Sequence, residues 1–426
     1  MESAETVKIQ PTVKRPRAWR SIVLFLSIVG PGFITANLDN DAGGIGTYSQ
    51  AGAQFGYGFL WLLIPVTVAL IVVQEICVRL GVVTGKGLGD LIREKFGVRI
   101  TLFVMSALVL TNLFTTVAEF GGVAASAEIF HIGRFVAVPV AVVVVALLAL
   151  VFDYKWVEKI FISASFIYLT YIVSGILVHP DWHRVALATF VPTFSPTKAY
   201  LLMFLAVVGT TITPWMQFYI QSSVVEKGVK PKELVYSQVD VVSGCLMTDI
   251  VAYFIIVACG ATLYLHHIYA ITDASQAALA LAPFGPRLAE ILFAVGLLNA
   301  SLFAGSVLPL STAYTVCEAL GFESGVGRKF REAPVFYSLY VALIVLGAGA
   351  VLFLHVPIFV VLVYSQVVSG ILLPVIVVAM LFLVNDADLM GKYVNGKAWN
   401  AIAWLTAVVT IAATAALLVA SLFGFS

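Results

Sequence analysis

The stretch 30–61, GPGFITANLDNDAGGIGTYSQAGAQFGYGFLW, decides how this chain folds. It is apolar enough to enter a membrane, yet its middle holds Asp39, Asn40 and Asp41, closely followed by three glycines. Carboxylates are costly in the hydrocarbon unless they face a cavity or a cation, and glycine favours unwound backbone with free carbonyls. Neither apolar part beside this break spans a membrane alone, so we predict one broken helix and not a loop.

The composition of the 426-residue chain calls for a lipid environment. Hydrophobic residues make up 61% and charged residues only 11%, whereas a soluble domain has roughly 25% charged residues. A water-soluble fold cannot bury this much apolar surface, so we predict an integral membrane protein. The net charge of +1 gives no reason to expect nucleic acid. The four cysteines lack metal-ligand spacing and no catalytic cluster is visible, so we predict no cofactor and no enzyme.

Eleven apolar segments follow one another, most of them long enough to cross the hydrocarbon core as helices. They lie at about 21–55, 57–78, 100–127, 135–152, 156–178, 199–224, 238–265, 288–320, 334–354, 357–384 and 399–424. With eleven spans, all but four of the 24 Lys and Arg residues fall on the side that holds the N-terminus, which we call the basic side. Basic loops stay in the cytoplasm. We therefore predict a multi-pass cell-membrane protein with a cytoplasmic N-terminus and an extracellular or periplasmic C-terminus.

A second interrupted helix is predicted in the sixth segment, VVGTTITPWMQFYIQSSVVEKG from residue 207. Gly209 and Pro214 bracket three threonines there, and proline removes a backbone donor and clashes with the preceding turn. An ordinary proline kink is the alternative at this position. Breaks in the first and sixth spans are typical of a five-plus-five inverted repeat that holds its substrate between them at the midplane.

We therefore predict an all-α membrane protein with a LeuT-like inverted repeat and discontinuous helices one and six. Its predicted parts are a cytoplasmic tail at 1–20, repeats at 21–178 and 199–384, and an eleventh helix at 399–424. The connection at 179–198 is predicted to be an ordinary exterior loop. The two halves share no visible similarity, so the repeat is inferred from the positions of the breaks.

The motifs that flank the first break resemble those of the Nramp family of divalent-metal transporters. The family's Gly-Pro start matches Gly30-Pro31, and its Gln-Ala-Gly-Ala-x-x-Gly-Tyr motif matches 50–57 without a gap. This alignment places the family's metal-binding aspartate on Asp41. Three further motifs also match, namely Arg79-Leu80-Gly81, Ala118-Glu119-Phe120 and Ser365-Gln366-Val367. The resemblance covers spans one to ten and is most specific through the third.

Departures from the family pattern indicate which metal is carried. The family's Asp-Pro-Gly-Asn is Asp41-Ala42-Gly43-Gly44 here, and its Met-Pro-His is Thr213-Pro214-Trp215. An amide ligand and a soft thioether are thus missing at the matching positions, and so is the histidine tied to proton movement. Met216, just past the break, is an alternative source of sulfur. Oxygen ligands suit Mg²⁺ and Mn²⁺, and Mg²⁺ keeps several waters. The resemblance is to the divergent Nramp-related magnesium transporters, which implies uptake of Mg²⁺, and also Mn²⁺, by alternating access without proton coupling.

The predicted site combines the two breaks with residues that the resemblance implies. The predicted metal ligands are Asp41, Leu38, Asn40, Thr210, Thr213 and Gln366. The residues predicted to line or gate the pathway are Asp39, Gly43, Gly44, Glu119, Pro214, Trp215 and Asp249. Asp39 is an alternative to Asp41 as the main ligand, and a structural role for Glu119 is an equal alternative. We expect a monomer in the lipid bilayer whose ligand is the transported cation.

Other functions stay open at this point. One is a proton-coupled Mn²⁺ or Fe²⁺ transporter of the same family, in which other residues compensate for the missing ones. An amino-acid carrier on the same architecture is disfavoured, because aspartates at the break would repel the substrate carboxylate. A cation channel belongs to another class and would be expected to show a filter segment.

Overall fold

The structure, a computed structural model, describes residues 38–150, 160–161, 163–325, 328–353 and 356–423. Within these ranges it consists of helices joined by short connections, with no strand. The helices are α1 Ala42–Phe55, α2 Leu60–Thr84, α3 Leu88–Ile129, α4 Arg134–Leu150, α5 Leu169–Leu177, α6 Trp182–Phe190, α7 Lys198–Thr211, α8 Pro214–Glu226, α9 Leu234–Thr262, α10 Ala274–Ala278, α11 Pro286–Leu320, α12 Pro334–Phe353, α13 Ile358–Val384, α14 Ala387–Met390 and α15 Lys397–Phe423.

Eight helical segments of the described part are long and apolar enough to cross a membrane, and α7 together with α8 forms one of them. Shorter apolar helices lie at Arg134–Leu148, Ser165–Leu177 and Ala274–Phe284. The predicted first span is described only from residue 38, and 151–159 and 162 in the fourth and fifth spans lie outside the described residues. The number eleven therefore stays a prediction, while the all-helical architecture is confirmed.

The outer faces of the bundle carry large apolar side chains. Phe103, Phe353 and Leu405 are each more than half exposed. A contiguous apolar surface of this kind would cause aggregation in water, and it matches the lipid tails of a bilayer. The polar residues of the predicted site, such as Asp41 and Gln366, are instead buried inside the bundle.

The core is organised around α3, which packs against α11, α12 and α13. α9 packs against both α1 and α2, and α7 packs against α13. The α7–α13 contact is very close, because a Cβ built on Gly209 would overlap the Gln366 carbonyl oxygen and one built on Gly370 would overlap the Leu205 carbonyl oxygen. Backbone therefore touches backbone there, and glycine permits this because it has no side chain.

The predicted break in the sixth span is present. α7 ends at Thr211 and α8 begins at Pro214, with Ile212 (φ −116°, ψ 67°) and Thr213 (φ −68°, ψ 133°) outside helical conformation between them. Pro214 occupies the first position of α8, where its missing N–H costs nothing and its fixed φ suits the helix. The proline thus starts a new half-helix and does not simply kink a continuous one.

The break in the first span is also present, but the glycines that follow it are not unwound as predicted. Leu38 and Asp39 are helical, the chain leaves the helix at Asn40 and Asp41, and α1 begins at Ala42. The three glycines that follow, which were predicted to be unwound, lie inside the first turns of α1. The glycines serve packing here, because a Cβ built on any of them would approach a neighbouring helix too closely or clash with the break.

The predicted loops contain short helices. α6 lies within 179–198, where Asp181 caps the helix by accepting hydrogen bonds from the backbone N–H groups of His183 and Arg184. α10 lies between the seventh and eighth predicted spans, and Asp273 caps it in the same way through Gln276. Aspartate at a helix N-cap satisfies backbone donors that would otherwise lack partners, a local signal that the exterior-loop prediction overlooked.

Candidate cation-binding site

Asp41 forms the N-cap of α1. One carboxyl oxygen, Oδ1, accepts a hydrogen bond of 2.6 Å from the backbone N–H of Gly44. The other, Oδ2, has no hydrogen-bond partner in the described part of the chain. A carboxylate is favoured at this end by the helix dipole as well as by the cap. Asp41 is therefore held in place by its own helix while one oxygen stays available to a ligand.

Glu119, in the middle of α3, lies beside Asp41. Its Oε2 accepts a hydrogen bond of 3.4 Å from the backbone N–H of Ala42, the first residue of α1. The Asp41 and Glu119 carboxyl groups are direct neighbours, and Glu119 Oε1 lacks a partner among the described residues. Two acidic side chains thus meet at the N-terminus of α1. The position of Glu119 is compatible with the predicted pathway role and with the alternative, a structural role in holding α1.

Thr210, at the end of α7, lies next to the first break. A Cβ on Gly44 would lie 3.2 Å from Thr210 Oγ1 and 3.4 Å from Asp41 Oδ1, so the hydroxyl and the carboxylate flank the same point. Thr213, at the N-cap of α8, is buried and makes no side-chain cap. Neither hydroxyl oxygen has a partner within the described ranges. Two neutral oxygens of the second break are therefore free to bind.

Gln366 completes this group from α13. Its side-chain amide fills the space over Gly43, since a Cβ on Gly43 would overlap Gln366 Nε2. Gln366 is fully buried, and neither its Oε1 nor its Nε2 has a partner in the part of the chain that the structure describes. Gln366, which was predicted by resemblance alone, thus lies against α1. A buried amide without partners is costly unless a ligand or water satisfies it.

Asp39 and Asp249 lie together on the other side of the break. Asp249, near the middle of α9, is close enough to Asp39 for their charges to interact. All four of their carboxyl oxygens lack hydrogen-bond partners in the described residues. Both side chains are at least 94% buried. The adjacent residues Asn40 and Thr248 are hydrogen-bonded at 2.8 Å, so the two predicted pathway residues lie in the same region of the bundle, and Asp39 is within electrostatic range of Asp41 as well.

The remaining predicted residues take supporting positions. Asn40 donates a hydrogen bond of 2.8 Å from Nδ2 to Thr248 Oγ1, which ties the break to α9. Leu38 is buried and helical, just before the break. Trp215 is buried in the first turn of α8, with its ring tilted against that of Tyr219 at 5.9 Å between centroids. Its indole N–H has no hydrogen-bond partner among the described residues.

Sequence reasoning missed two contacts of the site. Thr248 receives the Asn40 amide, and Tyr48 shares a hydrogen bond of 2.8 Å with Thr211, which joins α1 to α7 just above the two breaks. A tyrosine two turns beyond a polar break on an otherwise apolar helix is a usable signal. The partner on the other helix depends on packing that no local pattern reveals.

The chemistry of the site is that of oxygen ligands. Its unpartnered groups include carboxylates, hydroxyls and the side-chain amide oxygens of Asn40 and Gln366, together with the indole N–H of Trp215, all of them buried. No group of three or more His, Cys, Asp or Glu arranged to hold a metal occurs among the described residues. Such an arrangement suits a hard cation that keeps some of its own water, and it does not suit a tightly caged metal.

Comparison with known proteins accounts for this arrangement. A family model described as natural resistance-associated macrophage protein-like, or Nramp, matches residues 32–420. The chain belongs to the Nramp family. It is 26% identical over 409 residues to the divalent metal cation transporter MntH of Deinococcus radiodurans, which covers 93% of the chain and 90% of that protein. It is 28% identical over 418 residues to MntH of Ralstonia nicotianae, with 92% and 90% covered.

Solved structures agree with this Nramp assignment at the level of the fold. An Eremococcus coleocola manganese transporter in complex with an aromatic bis-isothiourea substituted compound superimposes with a TM-score of 0.76 and 22% identity, over 96% of this chain and 88% of that one. Mhp1, a nucleobase-cation-symport-1 family transporter in a closed conformation, superimposes with a TM-score of 0.57 and 16% identity, over 92% and 91%. The predicted LeuT-like architecture is thereby confirmed.

Proposed function

We propose that this Nramp protein transports divalent cations across the membrane, chiefly Mg²⁺ and also Mn²⁺, by alternating access and without coupled protons. The observation that carries the proposal is the set of unpartnered buried oxygens where the two breaks meet, contributed by Asp41, Thr210 and Thr213. Two relatives are named divalent metal cation transporters, and a structural neighbour is named a manganese transporter. These names support divalent cations as the substrate class.

The choice of Mg²⁺ rests on the ligands. Thr213 stands where the family pattern has methionine and Gly44 where it has asparagine, so the site has lost a soft ligand and side-chain volume. Mg²⁺ dehydrates reluctantly and is bound through one or two carboxylates and several waters. A roomier site made of oxygens serves such an ion better than one lined by thioether and imidazole.

Alternating access is supported by burial. Asp41, Thr210 and Gln366 are each no more than 2% exposed, so the site is closed to both sides in this conformation. A channel needs a continuous path, whereas a carrier closes around its substrate. Saturable uptake is the expected result, and flux that rises linearly with concentration would favour the channel.

Inward transport needs no proton in our proposal. Each elementary charge that moves inward gains ~2.3 kcal/mol per 100 mV of membrane potential, so a divalent ion is accumulated by the potential alone. Trp215 in place of the family's histidine removes a titratable group from the expected proton route. In the proposed orientation the N-terminus is cytoplasmic. The two proposed repeats are 21–178 and 199–384, and the proposed working unit is a monomer.

The decisive experiment is uptake into proteoliposomes, with Mg²⁺ and Mn²⁺ compared for the native protein and for Asp41→Ala under an imposed inside-negative potential. We expect uptake of both ions by the native protein, no uptake by Asp41→Ala, and no acidification of the lumen as metal enters. Acidification that follows the metal would replace this proposal with proton-coupled Mn²⁺ or Fe²⁺ transport. Normal uptake by Asp41→Ala would disprove the site.

A further inference from the structure

The Asp39–Asp249 pair is unusual because nothing in the described structure neutralises it. Both carboxylates are buried, and all four of their oxygens lack hydrogen-bond partners there. None of the salt bridges of the described residues involves either aspartate. Burying even one isolated charge is very costly. Two such groups close together must be neutralised by protons or by a cation, and Asp41 and Glu119 already occupy the neighbouring position.

A stripe of polar residues along α9 leads away from this pair. Gln238, Cys245 and Asp249 are spaced by seven and four residues, so they lie on one face of the helix. Cys245 is close enough to interact electrostatically with both Asp39 and Asp249. The stripe covers eleven residues, or roughly 16 Å at 1.5 Å per residue. It runs from the midplane towards the end of α9 that the basic-residue count assigns to the cytoplasm.

α2 supplies the facing side of this stripe. Cys245 donates from its sulfur to Gln74 Oε1 at 3.4 Å, and Gln238 Nε2 donates to Glu75 Oε1 at 2.9 Å. Glu75 is also paired with Arg79 at 3.0 Å, and both are buried. Polar side chains thus fill the α2–α9 interface from the aspartate pair to the Glu75–Arg79 ion pair, where apolar contacts would be expected in a membrane bundle.

We infer that the Asp39–Asp249 pair is a second cation position, on the basic side of the Asp41 site, through which the transported divalent ion leaves along the α2–α9 interface. The inference rests on the proposed function and deepens it. The ion passes from Asp41 to the aspartate pair as the first break moves, and hydrated cation then replaces the Gln74–Cys245 and Gln238–Glu75 contacts on its way out. The Glu75–Arg79 pair lies at the end of this route.

Cys245 makes the inference testable, since a native thiol lies beside the pair. The reporter protein keeps Cys245 and replaces the other three cysteines by serine, namely Cys77, Cys259 and Cys317. A membrane-impermeant maleimide is applied to inside-out vesicles, and the rate of Cys245 alkylation is measured with and without saturating Mn²⁺. We expect alkylation that Mn²⁺ slows several-fold. Complete lack of reaction in the inside-out vesicles would overturn the exit route.

Variants separate the pair from the main site. Protection by Mn²⁺ should persist in Asp41→Asn, which disables the main site, and disappear in Asp249→Asn and in Asp39→Asn. Asp249→Glu keeps a carboxylate and should keep protection, which separates loss of charge from loss of folding. Protection that vanishes in Asp41→Asn, or that survives in both Asp249→Asn and Asp39→Asn, would overturn the inference.

Asp240→Asn is the matched control. Asp240 lies on the same helix, is buried and also interacts electrostatically with Cys245, but it stands nine residues from Asp249, two and a half turns away and on the opposite face. Protection is therefore compared as the ratio of alkylation rates with and without Mn²⁺ in each variant. Its substitution should leave Mn²⁺ protection unchanged, and loss of protection there would count against the pair. Uptake measured in the same vesicles distinguishes the two failures: normal uptake without protection of Cys245 defeats the second position alone, and absent uptake in the native protein defeats the proposed function.

Discussion

The break before α1 and the break before α8 are stabilised in different ways. The first carries charge and is closed by its own side chain, since Asp41 accepts a hydrogen bond from Gly44. The second is neutral, and Thr213 leaves its helix N-terminus without a side-chain cap while Pro214 removes one of the donors. The first break is therefore fixed by its own side chain, whereas the second has no such cap, and both offer oxygens without partners to a ligand.

This difference suggests a division of roles in the proposed transport. Charge from the first break provides attraction for a divalent ion of any kind, because Coulomb interaction does not depend on the chemical softness of the ion. Neutral ligands of the second break decide which ion is preferred, because hydroxyl and carbonyl oxygens favour hard cations. Variants of the two breaks and of their contacts test this division.

Removing the charge of the first break should have the largest effect. Asn caps a helix about as well as Asp, so Asp41→Asn keeps α1 in place and removes only the charge. We expect uptake of both Mg²⁺ and Mn²⁺ to fall roughly 100-fold, since loss of a buried charged partner costs about 3 kcal/mol. Uptake is measured in proteoliposomes. Asp41→Ala should lose the same activity and in addition about 1 kcal/mol of stability from the missing cap.

Crowding the contact between α1 and Gln366 should have the next largest effect. A Cβ at Gly43 overlaps Gln366 Nε2, so Gly43→Ala must displace that amide. Overpacking costs roughly 1–3 kcal/mol, and we expect uptake to fall about tenfold. Gly349→Ala on α12 is the control, because a Cβ there meets nothing within 4 Å. Equal uptake by the two variants would mean that Gln366 is not part of the site.

Changing the neutral break should alter selectivity more than activity. Thr213→Met restores a thioether, which should raise the ratio of Mn²⁺ to Mg²⁺ uptake about tenfold. Thr213→Ser keeps the hydroxyl and should leave the ratio near that of the native protein. Competition between the two ions in one uptake assay gives the ratio directly. If Thr213→Met lowers uptake of both ions equally, the second break does not set selectivity.

Loosening the link between the two breaks should have the smallest effect. Tyr48→Phe removes the hydroxyl that shares a hydrogen bond with Thr211, at a cost of about 1 kcal/mol of stability. We expect a fall of a few degrees in the melting temperature in detergent and uptake within about fivefold of native. Tyr364→Phe, on an exposed tyrosine of α13, should change neither quantity. A larger loss for Tyr48→Phe would show that the breaks are coupled through this bond.

Sequence reasoning succeeded where one residue type carries a strong physical cost. Aspartates in the middle of an apolar segment and proline after a row of threonines predicted both breaks, and the Nramp motif singled out Asp41. The extent of the first break was wrong, because Gly43 and Gly44 were interpreted as unwound although they lie in α1. Glycine in a membrane helix serves close packing as often as flexibility, and a single sequence does not distinguish the two.

The partners of the site residues were beyond prediction. That Glu119 accepts from the Ala42 backbone and that Asp249 lies beside Asp39 depends on how α3 and α9 pack against the first break. These contacts join residues far apart in sequence, and no periodicity within one segment encodes them. Asp249 was predicted to line the pathway from its depth in an apolar helix, by the intramembrane-charge argument, and this role stays a prediction.

The glycine contact between α7 and α13 has a mechanical consequence. Because backbone rests on backbone at Gly209 and Gly370, the two helices have no side chains between them to slide or re-pack, and they must travel as one rigid unit. Any tilt of α8 relative to that unit is absorbed by rotation about the bonds of Ile212 and Thr213, the two non-helical residues between them. If α8 tilts during transport, the second break would therefore serve as its hinge.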